Sequence, residues 1–535
     1  MELTPETQAW FAAFLVFAAV SALLYQQRKE RWALLWLTLG GFCLYLMAAR
    51  LFPFLNIWDE QYHALVAKNC MAHPFRPTLY EEALVPGHDY SNWIAAHVWL
   101  HKQPLFIWQI ALSLKLFGAS TLAVRLPSVV MCTLLIPLNY RMAQLLTQRR
   151  DIAYFTALAT ASSWFLIGLT SGIISTDHND VCFLFYVTAS VWAFMEYVHR
   201  GSDSWRWALL AGVLAGGAML TKWLVGLLLY LVWGCYLLTE KGFRLREWRL
   251  QHLVAALAVT LCLFLSWQLY CLHQFPVEAR QELLFNFQHA NEVIEDHDGP
   301  WNFYLMVLPS QFFGYGPRLN NIHFIWSFHT ILCYLVLAAG LIFALRALRT
   351  RSQRITLLVV LLFVFAFFSH AKTKMPTFTF VVSFIGFLSI ASVMALIQQG
   401  VERVVRPKWL LTLVTVLLCA SYGAYGSHYP YFYRECDPYY YQVSAENQII
   451  FKSWKEKVPE GTLIFNVMTP AYGSYDYTSC IAATFYSDRE CYFDQPPIEV
   501  LKELQRQGHT VAAVRNPWTP ETYEQDSSIV KLEIR

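Results

Sequence analysis

The feature that most constrains this chain is a series of apolar stretches, each long enough to cross a lipid bilayer. A transmembrane helix needs about 20 mostly apolar residues, and the 535-residue sequence contains twelve such stretches. They begin near residues 9, 32, 122, 153, 181, 205, 223, 251, 323, 355, 376 and 408. Charged residues make up only 14% of the chain, against about 25% in ordinary soluble proteins. The sequence therefore predicts an α-helical polytopic membrane protein with about twelve transmembrane helices.

Alternate linkers between these stretches are rich in lysine and arginine. The basic residues are Arg28, Lys29 and Arg31; Arg149 and Arg150; Arg200 and Arg206; Lys241, Arg244, Arg246 and Arg249; Arg346, Arg349, Arg351 and Arg354; and Arg403, Arg406 and Lys408. Because cytoplasmic loops carry such clusters, we predict that the N-terminus and the C-terminal tail both lie outside the cytoplasm. The first stretch is preceded by no positive segment and followed by no small-residue cleavage site, so we expect it to be retained rather than removed as a signal peptide.

Two linkers on the outer side are too long to be simple turns. The first spans residues 53–121 and contains an apolar run at 105–117, which is too short to cross the bilayer and predicts a helix lying in the interface. The second spans residues 272–321. With the apolar stretches, these two outer loops make up a predicted membrane domain of residues 1–428.

From residue 429 the composition becomes that of a soluble protein. Residues 462–467 and 510–514 have the pattern of strands, whereas 445–457 and 498–507 have that of amphipathic helices. We therefore predict a small extracytoplasmic α/β domain over residues 429–535. It could receive an acceptor or simply brace the outer loops.

Two cysteines of this C-terminal domain, Cys480 and Cys491, could pair in an oxidising compartment, with free thiols as the alternative. Cys70 and Cys436 have no obvious partner in the sequence. The other cysteines fall mostly inside the apolar stretches, where they behave as small apolar residues.

The polar residues that are not cytoplasmic anchors fall on the outer side. They are Asp59, Glu60, His101, Lys102, Asp177, Asp180, Lys222, His289, Lys372 and Lys374. Charged groups near the hydrocarbon boundary are costly unless they pair or line a wet cavity, so in a membrane protein they are candidates for function. The sequence therefore predicts one polar chamber at the outer face.

The residue types in this chamber limit its chemistry. Partly buried carboxylates can act as general bases, and lysines can hold a phosphate and stabilise it as it departs. The chain has no Gly-rich nucleotide loop, and its net charge of +3 is too small to suggest a nucleic-acid binder. These features favour a phosphate-bearing substrate delivered from the membrane, a polyprenyl phosphate, over a soluble nucleotide.

Structural roles are the alternatives for the carboxylates. Asp59 could cap an interfacial helix, and Asp177 is as suited to a helix cap as to a substrate contact. Glu60 more often holds a neighbour than acts as a second base. Asp180 lies at the start of an apolar helix, where a carboxylate is favoured by the helix dipole.

The lysines and histidines have structural alternatives as well. Lys222 could extend to the lipid headgroups. Lys372 and Lys374 are two residues apart, so they face one way on extended backbone and diverge on a helix; only one of them need touch phosphate. His101 and His289 could be ordinary loop histidines, because spacing alone does not bring them together.

Five segments, in order along the chain, carry a resemblance to a known family. They are Trp58-Asp-Glu-Gln-Tyr62, His101-Lys-Gln-Pro-Leu105, Phe117-Gly with Arg125-Leu-Pro-Ser128, Thr221-Lys222, and Phe368-Ser-His-Ala-Lys-Thr-Lys-Met-Pro376. Together they resemble the lipid-linked-sugar glycosyltransferases of the GT-C class. The most similar members are the aminoarabinose transferase acting on lipid A and the bacterial protein O-mannosyltransferase superfamily. The C-terminal domain adds little to the match.

The resemblance implies a GT-C fold in the bacterial inner membrane, with the active site and the C-terminal domain facing the periplasm. It implies that a sugar moves from a polyprenyl-phosphate donor to a lipid A, glycan or protein acceptor, with inversion at the anomeric carbon. Asp59 occupies the place of the catalytic base. The donor phosphate would be held by Lys102, Lys222 and either Lys372 or Lys374.

The resemblance also bears on the other substrate contacts and on cofactors. Glu60, Tyr62, Asp177 and Asp180 are then candidates for substrate binding, and His289 lies in a region that supplies a histidine near the donor. No cofactor is required. Some relatives bind a divalent metal through that histidine and through a Glu directly before the lysine of the motif. In this sequence the residue before Lys102 is His101, so a metal held by His101 and His289 is an open alternative.

A transporter or flippase of lipid-linked saccharides is the alternative function, because the same lysines could hold phosphate without any chemistry. Transporters tend to have inverted repeats and ionisable residues near the bilayer midplane, and the sequence shows neither clearly. A purely structural membrane protein would not need lysines in three separate outer linkers. The motifs do not specify the sugar, the acceptor or the oligomeric state.

Overall fold

The structure is a computed structural model. It describes residues 4–535 except 83, 86–91, 173, 175–176, 202–203, 243–248, 296, 315–322, 405–406, 429–437 and 472–473. Within this part of the chain, ten segments are long and apolar enough to cross a membrane. They are Pro5–Gln26, Glu30–Ala49, Thr121–Thr147, Arg150–Thr170, His178–Arg200, Trp205–Glu240, Leu250–Gln274, Thr330–Ala347, Arg351–His370 and Phe378–Val401. The protein is a multi-pass membrane protein, as predicted.

The difference between these ten segments and the twelve predicted helices has two sources. Trp205–Glu240 is 36 residues long and contains two successive helices, which the prediction counted separately. The predicted twelfth helix begins at residue 408 as expected and runs over Lys408–His428, but its side chains are described continuously only over Lys408–Leu418, which is too short to count among the ten.

The membrane domain consists of helices joined by short turns, with two outer loops that contain helices of their own. Its helices are α1 (Pro5–Gln26), α2 (Glu30–Ala49), α3 (Asp59–Cys70), α4 (Pro104–Phe117), α5 (Thr121–Thr147), α6 (Arg150–Ala161), α7 (Trp164–Thr170), α8 (Asp177–Arg200), α9 (Trp205–Lys222), α10 (Leu228–Lys241), α11 (Leu250–Gln274), α12 (Pro276–Asn291), α13 (Phe303–Phe313), α14 (His323–Ala347), α15 (Arg351–His370), α16 (Ser383–Val401) and α17 (Lys408–His428). The main packing pairs are α1 with α2, α8 with α9, α9 with α11, and α14 with α16.

The first outer loop contains α3 and α4, and the second contains α12 and α13. The predicted helix at 105–117 is confirmed as α4, a 14-residue helix. It begins at Pro104, because proline suits the first helical position, and Gly118 follows its last residue with φ 82°. Leu112 and Leu116 are exposed, as expected for a helix with one face toward lipid.

The chain reverses direction between α9 and α10. A 3₁₀ turn at Trp223–Leu227 follows α9 and folds back on it. Gly226 makes the close approach possible, because a Cβ built there would lie 2.4 Å from the backbone nitrogen of Met219 and 2.7 Å from the carbonyl carbon of Ala218. Lys222, the last residue of α9, therefore lies at this reversal, next to the start of α8.

We expect Gly226→Ala to destabilise the protein by about 1–3 kcal/mol, the usual cost of overpacking. The atoms that the new methyl group would meet belong to the backbone of α9, so they cannot rotate away. The measurement is thermal unfolding in detergent, with Gly234→Ala as the control, because a Cβ at Gly234 in α10 meets nothing within 4 Å. Equal losses in both variants would contradict the close packing.

The C-terminal region contains a small α/β fold. Its strands are β1 (Leu463–Phe465), β2 (Thr469–Ala471), β3 (Ser474–Asp476), β4 (Glu490–Cys491), β5 (Val511–Arg515) and β6 (Val530–Glu533), and its helices are α18 (Pro438–Lys457), α19 (Ser479–Ser487), α20 (Ile498–Arg506) and α21 (Glu521–Gln525). The main sheet has the order β4-β1-β5-β6, and all of its pairs are parallel. The predicted strands at 462–467 and 510–514 are β1 and β5, which pair directly.

The cysteines of this region are not bridged. Cys480 in α19 and Cys491 in β4 are both buried, free thiols, and Cys70 is likewise free and buried. The structure therefore has the free-thiol alternative for Cys480 and Cys491. Cys436 lies outside the described residues.

The C-terminal region contacts the first outer loop through α19, which packs on α3. The Tyr486 hydroxyl accepts a hydrogen bond from the Leu55 backbone nitrogen at 3.0 Å and lies 2.8 Å from the Thr121 hydroxyl. Lys68 of α3 donates to the Phe485 carbonyl at 2.5 Å and pairs with Asp488. These contacts are of the kind that brace the loop carrying α3.

Candidate active site

Asp59 is the first residue of α3, and a short segment connects the end of α2 to it. Its side chain is 13% exposed, and its Oδ1 atom lies 3.7 Å from the Lys102 ammonium and 3.9 Å from Nε2 of His63. The preceding residue, Trp58, occupies the N-cap position without a side-chain cap bond. Asp59 is thus not the cap of α3, and its carboxylate instead lies beside a cation in a partly buried position.

An unusual backbone conformation precedes Asp59 and recurs after Lys222. Trp58 has φ 66° and ψ −131°, and Trp223 has φ 54° and ψ −147°. Positive φ is costly for a bulky residue, and such strain is often kept at functional sites, where the surrounding structure holds it. The two strained tryptophans therefore adjoin Asp59 and Lys222, which are residues that the motifs also indicate.

Lys102 lies just before α4 and joins the two outer loops through its neighbour His101. The Lys102 ammonium is 3.7 Å from Asp59 and 3.1 Å from Nε2 of His101. The His101 ring stacks on Trp93, with centroids 4.3 Å apart, and its Nδ1 atom lies 3.6 Å from the carboxylate of Glu282 in α12. This chain of contacts places α12 of the second loop over the first loop.

The metal site predicted at His101 and His289 stays a prediction. The Lys102 ammonium lies 3.1 Å from Nε2 of His101, and no group of three His, Cys, Asp or Glu in the described part of the chain could hold a metal ion. The side chain of His289, the other predicted ligand, lies outside the described residues, although its backbone belongs to α12. No step of the reaction proposed below involves a metal.

Glu60 has a different environment from its neighbour Asp59. It is 2% exposed, and its carboxylate accepts hydrogen bonds from Nε and Nη2 of Arg125 at 2.6 and 2.8 Å and from the Asn56 backbone nitrogen at 2.6 Å. A Cβ at Gly172 would lie 2.6 Å from this carboxylate. The predicted substrate contact for Glu60 is therefore corrected, because its carboxylate is enclosed in a structural ion pair.

Tyr62 is also enclosed. It is completely buried, its ring lies 5.0 Å from Trp93 and 6.4 Å from Trp99, and burial raises the pKa of its hydroxyl well above the ordinary value. The hydroxyl has no hydrogen-bond partner among the described residues. In this structure Tyr62 thus packs within the aromatic core of the first loop, and its predicted substrate contact is unsupported.

Lys222 and Asp180 form the second charged pair of the site. Asp180 lies in the first turn of α8, is 6% exposed, and pairs with the Lys222 ammonium. That ammonium also lies 4.9 Å from the ring centroid of Phe378. Lys222 therefore reaches across to the segment after α15 instead of extending to headgroups. Asp177 is the first residue of α8, and its side chain lies outside the described residues.

The two late lysines differ in exposure. Lys374 is 6% exposed, donates to the Ala371 carbonyl at 2.7 Å, and its backbone nitrogen bonds the His297 carbonyl at 2.8 Å. Lys372 is exposed. The segment containing both lysines is thus held against the second outer loop, and Lys372 is the one whose ammonium is accessible.

Two buried histidines join α3 to the start of α8, and the sequence did not reveal their role. Nδ1 of His63 in α3 is 3.2 Å from Nδ1 of His178 in α8, so one ring donates and the other accepts. Burial lowers the pKa of His63 well below its ordinary value, which keeps that ring neutral beside Asp59. Nε2 of His178 lies 3.9 Å from the Glu60 carboxylate. The histidine pair thereby joins α3, which carries Asp59, to the start of α8, which carries Asp180.

Comparisons with known proteins bear on this architecture. Residues 101–267 match a family model described as dolichyl-phosphate-mannose-protein mannosyltransferase. The match includes Lys102, Asp180 and Lys222 but not Asp59 or the late lysines. An uncharacterised protein of Aquifex aeolicus (strain VF5) is 25% identical over 328 residues, which covers 60% of this chain and 56% of that protein. The chain therefore spans little more than half the length of that relative.

Solved structures resemble the whole chain more broadly. ArnT from Cupriavidus metallidurans bound to undecaprenyl phosphate superimposes with a TM-score of 0.58 at 15% identity, over 92% of this chain and 88% of that one. The Archaeoglobus fulgidus oligosaccharyltransferase in complex with zinc and sulfate gives a TM-score of 0.50 at 12% identity, over 86% and 62%. This chain has the GT-C fold. The resemblance predicted from the five motifs is confirmed at the level of the fold.

Proposed function

We propose that this GT-C protein is a glycosyltransferase that moves a sugar from a polyprenyl-phosphate donor to an acceptor at the outer face of the membrane. The observation that carries the proposal is the carboxylate of Asp59 at 3.7 Å from the Lys102 ammonium. A second charged pair, Lys222 with Asp180, involves α8, the helix that the His63–His178 contact joins to α3. A base and phosphate-binding cations on neighbouring helices are the groups that such a transfer requires.

In the proposed reaction, Asp59 removes the proton from the acceptor hydroxyl or phosphate as that oxygen attacks the anomeric carbon. The bond between this carbon and the phosphate oxygen breaks on the opposite side, which inverts the configuration. The departing polyprenyl phosphate takes the electron pair and gains no proton. Asp59 is suited to its role because its side chain is partly buried yet 13% exposed, so an acceptor could reach the carboxylate.

The leaving phosphate would be stabilised by lysine ammonium groups. Lys102 and Lys222 have side chains that are 18% and 17% exposed, so each is partly withdrawn from water yet accessible. In such surroundings a positive charge stabilises a developing anion more than it does in water. Lys372, which is exposed, would supply the third charge, while Lys374 holds the segment in place.

The donor and the location follow from the same proposal. The polyprenyl chain would remain in the bilayer, and the acceptor would be lipid A, another glycan or a protein. The alternating basic linkers support a site on the outer side of the membrane, which would be a bacterial inner membrane. The C-terminal region, through its contacts with α3, would brace the loop that carries Asp59.

Neutralising either lysine is expected to lower the rate of transfer by about 10²–10³-fold, the usual effect of removing one group that stabilises a developing anion. The variants are Lys102→Gln and Lys222→Gln. The measurement is release of polyprenyl phosphate from a polyprenyl-phosphate sugar by the purified protein in detergent or nanodiscs.

The matched control is Lys115→Gln, because Lys115 is an exposed lysine at the end of α4. It is expected to leave the rate unchanged. Because Lys222 pairs with Asp180, thermal unfolding of Lys222→Gln separates lost stability from lost catalysis. A folded Lys102→Gln protein with wild-type turnover would remove Lys102 from the phosphate site.

A further inference from the structure

A second candidate site lies in an apolar cavity of the membrane domain. Its volume is about 380 Å³, within the range of about 300–1,000 Å³ that is typical of ligand pockets. It is lined mainly by apolar side chains of α5, α8, α10, α15 and the start of α16. Val187, Val360 and Val381 are buried members of this lining.

The cavity opens at the end of α8 remote from the candidate active site. Asp180, near the start of α8, pairs with Lys222, whereas His199, near its end, lines the cavity. At a rise of about 1.5 Å per residue these two positions are about 28 Å apart. The closed end of the cavity, opposite His199, reaches Val381 in the 3₁₀ turn Phe378–Val382.

The open end of the cavity, at the arginine-rich linker between α14 and α15, is positively charged. Arg349, between α14 and α15, lines it together with His199, and both residues are exposed. Three further exposed arginines flank Arg349, namely Arg346, Arg351 and Arg354. Within the described part of the chain, none of these four arginines forms an ion pair. An anion at this end would therefore meet several unneutralised guanidinium groups.

One polar group faces the interior of the cavity without a partner. Thr356, in α15, is 8% exposed and lines the cavity, and its hydroxyl has no hydrogen-bond partner among the described residues. Leaving a buried hydroxyl unpaired is unfavourable. Thr356 lies in the second turn of α15, which begins two residues after Arg349, so a ligand with an anionic head at Arg349 could place a carbonyl oxygen near Thr356.

We propose that this cavity binds an anionic phospholipid from the leaflet at the arginine-rich face. The acyl chain fills the apolar interior, an ester carbonyl accepts from Thr356, and the phosphate lies at Arg349. The ligand is a lipid because the cavity lies among membrane-spanning helices, and it is anionic because basic pockets between such helices select negative headgroups. The proposal does not depend on sugar transfer.

The test measures lipid binding to the purified full-length protein by native mass spectrometry, with phosphatidylglycerol and phosphatidylcholine of the same acyl chains as probes. We expect one phosphatidylglycerol to be retained and phosphatidylcholine to be lost. Arg349→Gln is expected to weaken phosphatidylglycerol binding roughly fivefold, the effect of removing one basic residue near a membrane surface. Arg403→Gln, a change of another exposed arginine outside the cavity, is expected to have no effect.

A second variant tests the interior of the cavity. Val191→Trp fills the space that the acyl chain would occupy and is expected to abolish stoichiometric retention. Equal retention of both lipids, or wild-type binding by Arg349→Gln, would overturn the proposal. So would displacement of the bound lipid by one polyprenyl phosphate, because the cavity would then belong to the donor. If Val191→Trp does not fold, the comparison of Arg349→Gln with Arg403→Gln decides.

Discussion

Asp59→Asn is expected to lower the rate of sugar transfer by about 10²–10⁴-fold, the usual contribution of a general base. Asparagine keeps the size of the side chain but cannot accept the proton of the attacking acceptor. The measurement is release of polyprenyl phosphate from a polyprenyl-phosphate sugar, with donor binding determined in parallel. Because Asp59 is the proposed base and not a phosphate ligand, donor affinity should change far less than the rate.

The control for this variant is Glu82→Gln, since Glu82 is an exposed carboxylate on the same outer loop. It is expected to turn over at the wild-type rate. Equal turnover by Asp59→Asn and wild type would remove Asp59 as the base. Movement of intact lipid-linked sugar across the membrane without release of the sugar would instead favour a transporter.

The second large effect is expected at Arg125, in stability rather than in catalysis. Arg125→Met should lower the free energy of unfolding by about 3–5 kcal/mol, because removing one partner of a buried ion pair leaves the other charge uncompensated. Here the orphaned group would be Glu60, which is 2% exposed. Arg125 also donates to the carbonyls of Ala49, Phe52 and Phe54, so the variant would loosen the segment that leads to α3.

The measurement for Arg125→Met is thermal or chemical unfolding in detergent, with Arg403→Met as the control at an exposed arginine. Adding Glu60→Gln to Arg125→Met should recover part of the lost stability, because the buried negative charge is then absent. An Arg125→Met protein as stable as wild type would show that the ion pair is not needed to hold the first loop.

Several elements of the fold were predictable because they depend on local patterns. The apolar stretches give the spanning helices, since about 20 apolar residues are needed to cross the bilayer. The pattern at 510–514 gave β5, and the run at 105–117 gave α4. The strands β2, β3, β4 and β6 were not predicted, because each has at most four residues and none lies in a longer strand-like run such as 462–467, which contains β1.

Neighbouring residues in the motifs illustrate what the sequence could not decide. Asp59 and Glu60 adjoin and have similar chemistry, yet one lies beside Lys102 in a partly buried position and the other is enclosed by Arg125. Successive residues of a helix point about 100° apart, so their environments depend on which helices pack on each side. Lys372 and Lys374 lie outside any helix, and they differ in exposure because Lys374 is held against the second outer loop.

The sequence by itself determined that this protein spans the membrane many times, because hydropathy is a property of local composition. It also predicted, from the basic linkers, that the unusual charges fall on one side. Only the tertiary structure decided which charges pair. The contact of His63 with His178 joins helices 115 residues apart in the chain, and the Lys222–Asp180 pair depends on the reversal at Gly226. Such contacts arise from packing between distant segments, which no local pattern encodes.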